Sequence, residues 1–537
     1  MFLRIINFLL FLVYFFIIFF ISSFYLFFWG FLFIVNIGLV CIKGGLPGFE
    51  DFGNIPTCLV SDNGLVNGVP ASKELDCVII PGGSLVESNS FDSDLFNEIK
   101  VMARDGKPVI GICAGYQVLG RFTDIGRNSP VPIVKEGLGL LDVDFSPLIS
   151  NDRVNAEVVG DSFFTKGIKS VTGFHSHTYG SILEEDCNTL FYSLFKRANY
   201  GDVSKKVISG SVNDDGNVVG TMIHNILDEN PGIVNNVFDF LDVDSDEISS
   251  IYSRNSDLRN KLHCSVGINS GISVDSLSSV SPFYKFKKKE GEFPYCLIIG
   301  GTGSDSGKTF LTTGLAGALR EKGLNVAVLK VGPDVRDTIS SLYLTKGKME
   351  DFSSIKIGHL GWMDLPDVLY CLKDSSYDVV LIEGVMSVFT GLLNERIPYS
   401  TSEIAFASNI PLLLVSGVNK GGIESAAVDL TSHARMLSKM GVSVNGILFN
   451  KVYDMNIFND VVPFVKENSG VENIFCMKKA KLDDRGATPE VEIRYDLFSL
   501  EALSFVKDNL DILKILELCD KPVLNDFLTF EEIKGFF

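Results

Sequence analysis

The chain has 537 residues and carries 47 Lys and Arg against 66 Asp and Glu, which gives a net charge of −19 at pH 7. This length exceeds one ordinary hydrophobic core, so we expect two or three domains. The acidic balance leaves no basic stripe for phosphates, which excludes nucleic acid as a partner. The ten cysteines form no CxxC pair, which argues against a zinc site or a disulfide framework and favours a reducing, cytoplasmic compartment.

Residues 1–32 form an apolar segment, and no charged residue occurs from Ile5 to Ile42. The segment is long enough to span a bilayer and lacks a small-residue cleavage site. The flanking basic residues are balanced, so they do not orient it. Three interpretations stay open: a membrane anchor that tethers a cytoplasmic enzyme, a misassigned start of translation, and, for Phe33–Cys41, the first buried strand of the next domain.

Residues 33–243 have the pattern of a first α/β domain. Short apolar runs alternate with helical stretches and Gly-rich turns; the runs are Cys77–Ile80, Val109–Ile112 and Val218–Ile223. This alternation predicts a doubly wound, mostly parallel sheet with helices on both faces.

The sequence GICAG at 111–115 places Cys113 between an apolar strand and a helix that we expect to begin near Tyr116. Flanking glycines let the backbone pass close to a strained turn, and the helix N-terminus favours a thiolate. Cys113 is therefore the candidate nucleophile. The N–H of Ala114, with a second donor from Gly82 or Gly83, could form an oxyanion hole. The alternative is a buried structural cysteine at a tight turn.

His224 ends the run Val218–Ile223, and strand ends commonly carry catalytic groups, so it is the candidate general base for Cys113. A second cluster contains His175 and His177. We interpret His175 as a packing residue and count His177 among the substrate or phosphate contacts.

Residues 244–292 are polar and Ser-rich and end in a basic run at 285–289, which predicts a linker with some local structure. Residues 293–490 repeat the α/β pattern. The predicted buried strands are Cys296–Ile299, Val326–Leu329, Val379–Ile382, Pro411–Val415 and Gly446–Phe449. Residues 491–537 are expected to form an amphipathic helical tail.

The sequence GTGSDSGKT at 301–309 lies between an apolar run and the helical pattern Phe310–Leu319. In such a loop the backbone N–H groups and the helix N-terminus face phosphates, a Lys reaches the terminal ones, and a Thr hydroxyl can hold Mg²⁺. We therefore predict an ATP site. Its phosphate-binding residues are Gly301, Thr302, Gly303, Ser304, Asp305, Ser306, Gly307, Lys308 and Thr309.

Three carboxylates accompany this loop: Asp305 within it, Asp334 after a predicted strand, and Glu383 at the end of another. Carboxylates at strand ends near a triphosphate suit Mg²⁺, so we predict a metal site made of these three with Thr309. Lys330 and Asp334, with His177, are the predicted substrate or phosphate contacts. Taken singly, each carboxylate could equally be a solvated loop residue.

Four motifs of the first domain resemble the class I glutamine amidotransferase domain, in the variety found in cobyric acid synthase and cobyrinate a,c-diamide synthase. They are PGG at 81–83, GICAGYQVLG at 111–120, GFHSH at 173–177 and GTMIHNILDEN at 220–230. The resemblance implies that Cys113 attacks the side-chain amide of glutamine, forms a glutamyl thioester and releases ammonia. Many relatives carry an acid two residues after the His. Ile226 stands there, so Asp228 and Glu229 remain candidates to orient His224.

The extended loop at 301–309 resembles the dethiobiotin synthetase-like ATPase fold. KVGPD at 330–334 and EGVMSVFTG at 383–391 narrow the resemblance to the same synthases, and Asn450 matches a position that contacts adenine in that fold. The resemblance implies that ATP activates a substrate carboxylate as an acyl phosphate, which ammonia converts to an amide. Lys308, Lys330 and Mg²⁺ would face the transferred group.

The sequence departs from this family in places on the substrate side. Val335 and Arg336 replace the usual aromatic and Ile, and Ser387 and Thr390 replace a Gly and an Asp. The family also places the ATP domain first, whereas here the glutaminase domain is first. These differences weaken the assignment of the substrate more than that of the reaction.

The leading hypothesis is an ATP-dependent, glutamine-hydrolysing amide synthase acting on carboxylates of a tetrapyrrole-like acid, such as cobyrinate or nickel-sirohydrochlorin. The second is amidation of a lipid-linked cell-wall precursor, suggested by the apolar segment. The third is a P-loop ATPase switch fused to an inactive glutaminase-like domain, although the loop lacks the extra early Lys of such switches. The expected partners are glutamine, ATP and a polycarboxylate, with a homodimer left open.

Overall fold

The computed structural model describes residues 34–47, 50–88, 93–127, 129–184, 188–199, 201–265, 277–347, 349–480 and 495–537. The apolar segment predicted for residues 1–32 lies outside this part of the chain. Within it, no helix is both long and apolar enough to cross a bilayer. The described residues fold into two α/β domains that contact each other.

Among the described residues, the first domain contains a nine-stranded mixed sheet, a four-stranded sheet and a two-stranded sheet. Its strands are β1 (Ile37–Val40), β2 (Cys58–Val60), β3 (Leu65–Val66), β4 (Val69–Pro70), β5 (Cys77–Ile80), β6 (Val109–Ile112), β7 (Phe122–Asp124), β8 (Val134–Glu136), β9 (Val143–Ser146), β10 (Arg153–Val158), β11 (Ser170–Phe174), β12 (Ser181–Glu184), β13 (Asn188–Ala198), β14 (Gly201–Val212) and β15 (Val218–Thr221). Its helices are α1 (Ala71–Glu74), α2 (Leu85–Ser88), α3 (Ser93–Arg104), α4 (Ala114–Leu119), α5 (Ile226–Glu229), α6 (Pro231–Phe240) and α7 (Ser245–Ser265).

Among the described residues the large sheet has the strand order β11-β10-β13-β14-β15-β6-β5-β1-β2. The half from β15 to β2 is parallel and buried, as the apolar runs predicted. The half from β14 to β11 is antiparallel, which the prediction of a mostly parallel sheet missed. Its strands alternate buried and exposed residues rather than forming continuous apolar runs, because one face is open to solvent.

Helix α7 occupies most of the first half of the predicted linker and packs on the first domain. Glu247 is buried and accepts a hydrogen bond from Val35 N at 2.9 Å. Arg254 and Asn255 donate to the carbonyls of Val35 and Pro56. The Ser-rich composition suggested a linker, but these polar anchors hold the segment as a helix.

The second domain has one sheet whose described strands are all parallel. They are β16 (Tyr295–Gly301), β17 (Val326–Val331), β18 (Ser354–Ile355), β19 (Val379–Glu383), β20 (Leu412–Gly417), β21 (Val444–Val452) and β22 (Ile474–Lys478), in the order β18-β17-β19-β16-β20-β21-β22. The helices are α8 (Lys308–Glu321), α9 (Ile339–Thr345), α10 (Leu365–Asp374), α11 (Thr401–Ser408), α12 (Gly422–Lys439), α13 (Met455–Ser469), α14 (Tyr495–Asn509), α15 (Ile512–Leu516) and α16 (Phe530–Gly535).

Each predicted strand of the second domain is present, extended by one to three residues at one or both ends. The predicted helical tail contains α14, α15 and α16. Apolar clusters cover both faces of this sheet, so its central strands β17 and β19 are buried throughout, whereas the edge strand β22 is only half-buried. The fold is therefore the predicted pair of doubly wound α/β domains. In both domains, the candidate site residues lie at or after the carboxyl ends of the parallel strands.

Candidate active site

Cys113 sits in a strained turn between β6 and α4. Its backbone has φ +51° and ψ −108°, in a region that costs a non-glycine residue about 1–3 kcal/mol. The N–H of Cys113 donates to the carbonyl of Thr221 at 2.7 Å, and α4 begins at the next residue, Ala114. The helix therefore begins two residues before the predicted start near Tyr116. The result is a cysteine held at the N-terminus of a helix.

The glycines on either side of Cys113 are required by close contacts. A Cβ on Gly115 would lie 2.1 Å from the carbonyl oxygen of Ile80. A Cβ on Gly111 would lie 2.7 Å from the backbone of Gly115. The steric reason given for the G-x-C-x-G spacing is thus present in the structure, because α4 crosses directly over β5 and β6.

The imidazole of His224 joins Cys113 to a carboxylate that the sequence analysis missed. Cys113 lies next to this ring, because a Cβ built on Gly82 would lie 2.6 Å from Cε1 of His224 and 3.4 Å from Cβ of Cys113. On the other side of the ring, Nδ1 lies 2.5 Å from Oε1 of Glu50. Oε2 of Glu50 accepts a hydrogen bond from Asn225 N at 2.8 Å, so both carboxylate oxygens are engaged. The three side chains form a buried Cys–His–Glu arrangement.

The charge state of His224 follows from these neighbours. Burial disfavours the charged ring, but its electrostatic interaction with Cys113 and its interaction and hydrogen bond with Glu50 raise the pKa of His224 to about 10. At neutral pH the ring is therefore an imidazolium. Such a ring can donate a proton to a leaving group that departs from a carbon atom bonded to the sulfur.

Asp228 and Glu229 do not contact His224, so they do not orient it as we had considered. Asp228 accepts hydrogen bonds from the N–H groups of Asp51 and Gly53, which fixes the loop that carries Glu50. Glu229 binds Arg153 through both oxygens, at 2.8 and 2.9 Å. Glu50 could have been sought in the loop after β1, since the carboxyl ends of neighbouring parallel strands share one edge.

The predicted oxyanion residues lie around the sulfur and the imidazole. A Cβ on Gly82 would lie 2.6 Å from Cε1 of His224 and 3.4 Å from Cβ of Cys113, so only glycine fits. Gly83 has φ +135° and lies against the carbonyl of Gly44. Ala114 follows Cys113 at the helix start. Gly82 is therefore the best placed of these to border a bound amide.

His175 and His177 form a buried pair and do not line the nucleotide cavity. Nδ1 of His177 faces the carbonyl of Leu148, which can only accept, so Nε2 accepts from Nδ1 of His175 at 2.8 Å. Nε2 of His175 lies 2.9 Å from the hydroxyl oxygen of Ser193. Burial lowers the pKa of both rings, to about 3 for His177. We therefore do not propose His177 as a substrate or phosphate contact; His175 packs as expected.

The second domain has a cavity of about 1000 Å³ at the carboxyl ends of its strands. The predicted residues that line it are Ser304, Asp305, Gly307, Lys308, Thr309, Lys330, Asp334, Glu383 and Asn450. Gly301 ends β16, and the Thr302 hydroxyl donates to Ser416 at 2.9 Å. The carbonyl of Gly303 and the hydroxyl of Ser306 accept from Lys308. These four residues hold the loop rather than line the cavity.

Lys308 starts α8 and is 7% exposed. Its ammonium donates to the carbonyl of Met386 at 2.9 Å. Burial lowers its pKa to about 8, against the opposing effect of Glu383. Only backbone and hydroxyl oxygens accept directly from this cation, so it can exchange them for phosphate oxygens.

Thr309, Glu383 and Lys330 meet at the floor of the cavity. The Thr309 hydroxyl donates to Oε1 of Glu383 at 2.7 Å, and Lys330 donates to the same oxygen at 3.0 Å. Lys330 also contacts Asp337 at 2.6 Å, a residue absent from the sequence predictions. Burial opposes the charge on Lys330, but Glu383 and Asp337 raise its pKa above its ordinary value.

These groups fit a Mg²⁺ ion. Oε2 of Glu383 is buried without a hydrogen-bond partner, next to a hydroxyl of the residue type that binds Mg²⁺ in such loops. Oδ1 of Asp334 is likewise buried without a partner, and burial raises the pKa of this carboxyl. Among the described residues, no three His, Cys, Asp or Glu side chains converge on one point, so the predicted set does not form a ready-made cage.

Asn450, predicted to contact adenine, lies at the opposite side of the loop. Its Nδ2 donates to the carbonyl of Ser306 at 2.8 Å. Gly307 has φ +89°, and a Cβ there would lie 2.0 Å from that nitrogen, so the close approach requires glycine. Lys451 donates to the carbonyl of Asp305 at 2.9 Å. Asp305 thus borders the Asn450 side of the cavity.

The two domains that carry the candidate sites contact each other directly. Arg153 of the first domain, already paired with Glu229, binds Asp351 of the second at 2.6 Å. The indole N–H of Trp362 donates to the carbonyl of Asn151 at 2.7 Å. Phe174, at the end of β11, packs among Val335 and other apolar residues of the second domain.

Comparison with known families agrees with this division. Residues 50–232 match the CobB/CobQ-like glutamine amidotransferase domain, and residues 297–485 match the CobQ/CobB/MinD/ParA nucleotide binding domain. Together these matches cover more than half of the chain. The protein is thus a glutamine amidotransferase domain joined to a P-loop nucleotide-binding domain.

More particularly, the chain is similar to cobyrinate a,c-diamide synthases and cobyric acid synthases, and its amidotransferase domain comes first. It is 28% identical over 244 residues to the cobyrinate a,c-diamide synthase of Streptococcus sanguinis (strain SK36), covering 43% of this chain and 52% of the relative. With that of Priestia megaterium it shares 30% over 237 residues, 42% and 49% of the two chains.

A cobyric acid synthase from Thermoanaerobacter sp. (strain X514) is 32% identical over 170 residues, 29% of this chain and 32% of that one. The matches to these synthases span about half of their length or less. Among solved structures, PurLQS from Thermotoga maritima matches 38% of this chain and 99% of its own, at 19% identity and a TM-score of 0.30. MinD from Aquifex aeolicus matches 40% and 98%, at 15% identity and a TM-score of 0.26.

Proposed function

We propose that this chain is an ATP-dependent, glutamine-hydrolysing amide synthase that amidates carboxylates of a tetrapyrrole-like acid. The observation that carries the proposal is the buried arrangement of Cys113, His224 and Glu50, with a hydrogen bond between His224 and Glu50, in a domain that packs against a P-loop domain. A thiol nucleophile with a positioned imidazole suits hydrolysis of the glutamine amide. A P-loop cavity lined by Lys308 and Lys330 suits activation of a carboxylate by ATP.

In the first domain, the Cys113 sulfur would attack the side-chain amide carbon of glutamine. Gly82 and Ala114 border the position of the developing oxyanion. His224 would give its proton to the departing nitrogen, which leaves as ammonia. The resulting glutamyl thioester would then react with water, with His224 as the base, and release glutamate. Glu50 would keep the ring oriented and balance its charge in both steps.

In the second domain, an acceptor carboxylate would attack the terminal phosphate of ATP and form an acyl phosphate. Ammonia would then displace phosphate and leave an amide. Lys308 and Lys330 would neutralise charge on the transferred phosphoryl group. Thr309 and Glu383 would hold Mg²⁺, with Asp334 close to the same cavity. When bound, Mg²⁺ supplies charge neutralisation at the phosphates and fixes their geometry.

The tetrapyrrole class of acceptor rests on two supports. The curated relatives are named as cobyrinate a,c-diamide synthases and a cobyric acid synthase. The cavity also combines an apolar wall, formed by Ile357, Leu360 and Val385, with the cations Lys308 and Lys330. An apolar wall beside cations fits a flat macrocycle with carboxylate side chains.

The other two hypotheses gain no support of this kind. An inactive glutaminase-like sensor has no need for a cysteine beside a histidine that is hydrogen-bonded to a buried carboxylate. Amidation of a lipid-linked precursor was suggested by residues 1–32, which lie outside the described part of the chain.

The direct test is to supply the full chain with glutamine, MgATP and either cobyrinate or nickel-sirohydrochlorin. We expect glutamate, ADP and an amidated acid by mass spectrometry. Cys113→Ala should abolish amidation from glutamine and retain amidation from ammonia, whereas Cys58→Ala, which removes a thiol elsewhere, should retain both. Lys308→Ala should stop amidation from either nitrogen source, with Lys322→Ala as its control. If Cys113→Ala also abolishes ammonia-dependent amidation, the proposed division of labour is wrong.

A further inference from the structure

Phe174 of the first domain lies in an apolar cluster that belongs otherwise to the second domain. The ring is fully buried, and Val335 and Met349 share its cluster together with the partly buried Leu342 and Trp362. A side chain enclosed in this way moves only when its neighbours move. A movement of these second-domain residues would therefore displace Phe174 of the first domain.

Phe174 is also tied closely to His224. Their rings are stacked, with centroids 5.1 Å apart and planes at 17°. Their backbones exchange two hydrogen bonds: His224 N donates to Phe174 O at 2.9 Å, and Phe174 N donates to His224 O at 3.2 Å. The position of Phe174 therefore restrains the position of the imidazole that faces Cys113.

On its other side, Phe174 contacts Trp362. The ring centroids are 5.7 Å apart, and the indole N–H is anchored to the carbonyl of Asn151 in the first domain. The backbone N–H of Trp362 donates to both the carbonyl and the hydroxyl oxygen of Ser354 in β18, each at an N–O distance of 3.2 Å. Trp362 thus connects the edge of the second sheet to the stack on His224.

The segment that carries Trp362 also forms part of the wall of the nucleotide cavity. Ile357 and Leu360 line the cavity, and they are joined to each other by backbone hydrogen bonds of 2.7 and 2.9 Å. The Ser354 hydroxyl donates to the carbonyl of Gly332 at 2.7 Å, two residues before Asp334. One short segment therefore touches both the cluster around Phe174 and the apolar wall of the nucleotide cavity. We call that cavity the acceptor cavity below, because the proposed acceptor would bind against this wall.

We propose that Trp362 is a positioning residue that couples occupation of the acceptor cavity to the alignment of His224. This inference rests on the proposed function. An acceptor that presses on Ile357 and Leu360 displaces the segment 354–363, and Trp362 transmits the displacement through Phe174 to the imidazole. Glutamine is then hydrolysed fastest when an acceptor is present to receive the ammonia. When two sites are coupled in this way, binding at one site commonly changes the affinity at the other by about 5- to 150-fold.

The first test compares glutaminase rates with and without MgATP and acceptor. In the wild type we expect stimulation of at least about five-fold. Trp362→Leu should reduce it to less than about two-fold and leave ammonia-dependent amidation within about two-fold of wild type. Trp362→Phe, which keeps an aromatic ring against Phe174, should retain part of the stimulation. Tyr370→Leu, an exposed aromatic residue on α10, is the matched control.

The second test uses fluorescence, because the chain contains two tryptophans, Trp29 and Trp362. In a Trp29→Phe background, the emission of Trp362 should change when a non-hydrolysable ATP analogue and the acceptor are added together. It should also change when a glutamine-like haloketone alkylates Cys113. These signals need no turnover and do not depend on a destabilised variant.

The outcomes separate the two proposals. A wild-type chain that neither hydrolyses glutamine nor forms amides would refute the proposed function and, with it, this inference. A wild-type chain that amidates normally, while Trp362→Leu keeps the full stimulation, would refute the inference alone. The same conclusion would follow if the emission of Trp362 were unchanged by saturating acceptor and ATP analogue.

Discussion

Nδ1 of His224 lies 2.5 Å from Oε1 of Glu50, although the two residues are 174 positions apart in the chain. Both side chains are buried, at 3% exposure each. A buried carboxylate that accepts from the imidazole fixes its tautomer and stabilises its protonated form. Glu50 therefore has the role in this structure that the sequence left open between Asp228 and Glu229.

Glu50→Gln should impair glutamine hydrolysis without impairing ammonia-dependent amidation. The amide keeps the size of the side chain but removes the charge that balances the imidazolium, so we expect kcat for glutamine to fall by about 10²- to 10⁴-fold. Glu229→Gln is the control, because that carboxylate binds Arg153 instead. The measurement is glutamate release at saturating acceptor. Equal losses in the two variants would contradict the assignment of Glu50.

The stability of the first domain should depend on pH through His224. Its folded pKa of about 10 lies above the ordinary histidine value of about 6.5, so the folded state binds the extra proton between these values. The stabilisation is complete below about 6.5 and is lost as pH rises towards 10. Urea denaturation of wild type and His224→Asn across this range should show a stability difference that shrinks as pH rises. In a Glu50→Gln background, the stability difference made by His224 should depend less steeply on pH. A difference that grows with pH would contradict the argument.

The turn at Cys113 should tolerate no side chain at Gly115. An added Cβ would meet the carbonyl of Ile80 at 2.1 Å, a backbone atom that cannot move aside cheaply. Gly115→Ala should therefore destabilise the first domain by about 1–3 kcal/mol and reduce alkylation of Cys113. In α6, Gly232→Ala meets only Ile168 at 3.5 Å and should be neutral or stabilising. Thermal unfolding of the two variants tests the contrast.

The features that the sequence predicted correctly have local causes. The elbow at Cys113 and the loop at Lys308 each need a particular order of residues within a few positions, so their motifs are visible without a fold. The parallel strands are also visible, since strands buried on both faces appear as continuous apolar runs.

The features that the sequence missed depend on contacts between distant segments. Glu50 is one acidic residue among 66 Asp and Glu, and only the strand order β15-β6-β5-β1 brings its loop to His224. Trp362 gains its role from a neighbour in the other domain, Phe174, 188 positions earlier in the sequence. The antiparallel half of the first sheet was missed because its strands lack continuous apolar runs, and α7 because its anchors are polar.

Two carboxylates contact the same ammonium group of Lys330, and they should differ in importance. Glu383 is 1% exposed, also accepts from Thr309, and has a second oxygen that is buried without a partner. The side chain of Asp337 is 41% exposed, so solvent screens its interaction.

Glu383→Gln should lower ATP-dependent amidation by about 10²-fold or more and raise the Mg²⁺ concentration needed for half-maximal rate. Asp337→Asn should cost less than about ten-fold and leave the Mg²⁺ dependence unchanged. Mg²⁺ titrations of ammonia-dependent amidation measure both effects apart from the glutaminase. If Asp337→Asn shifts the Mg²⁺ requirement and Glu383→Gln does not, the metal is held by Asp337 rather than by Glu383.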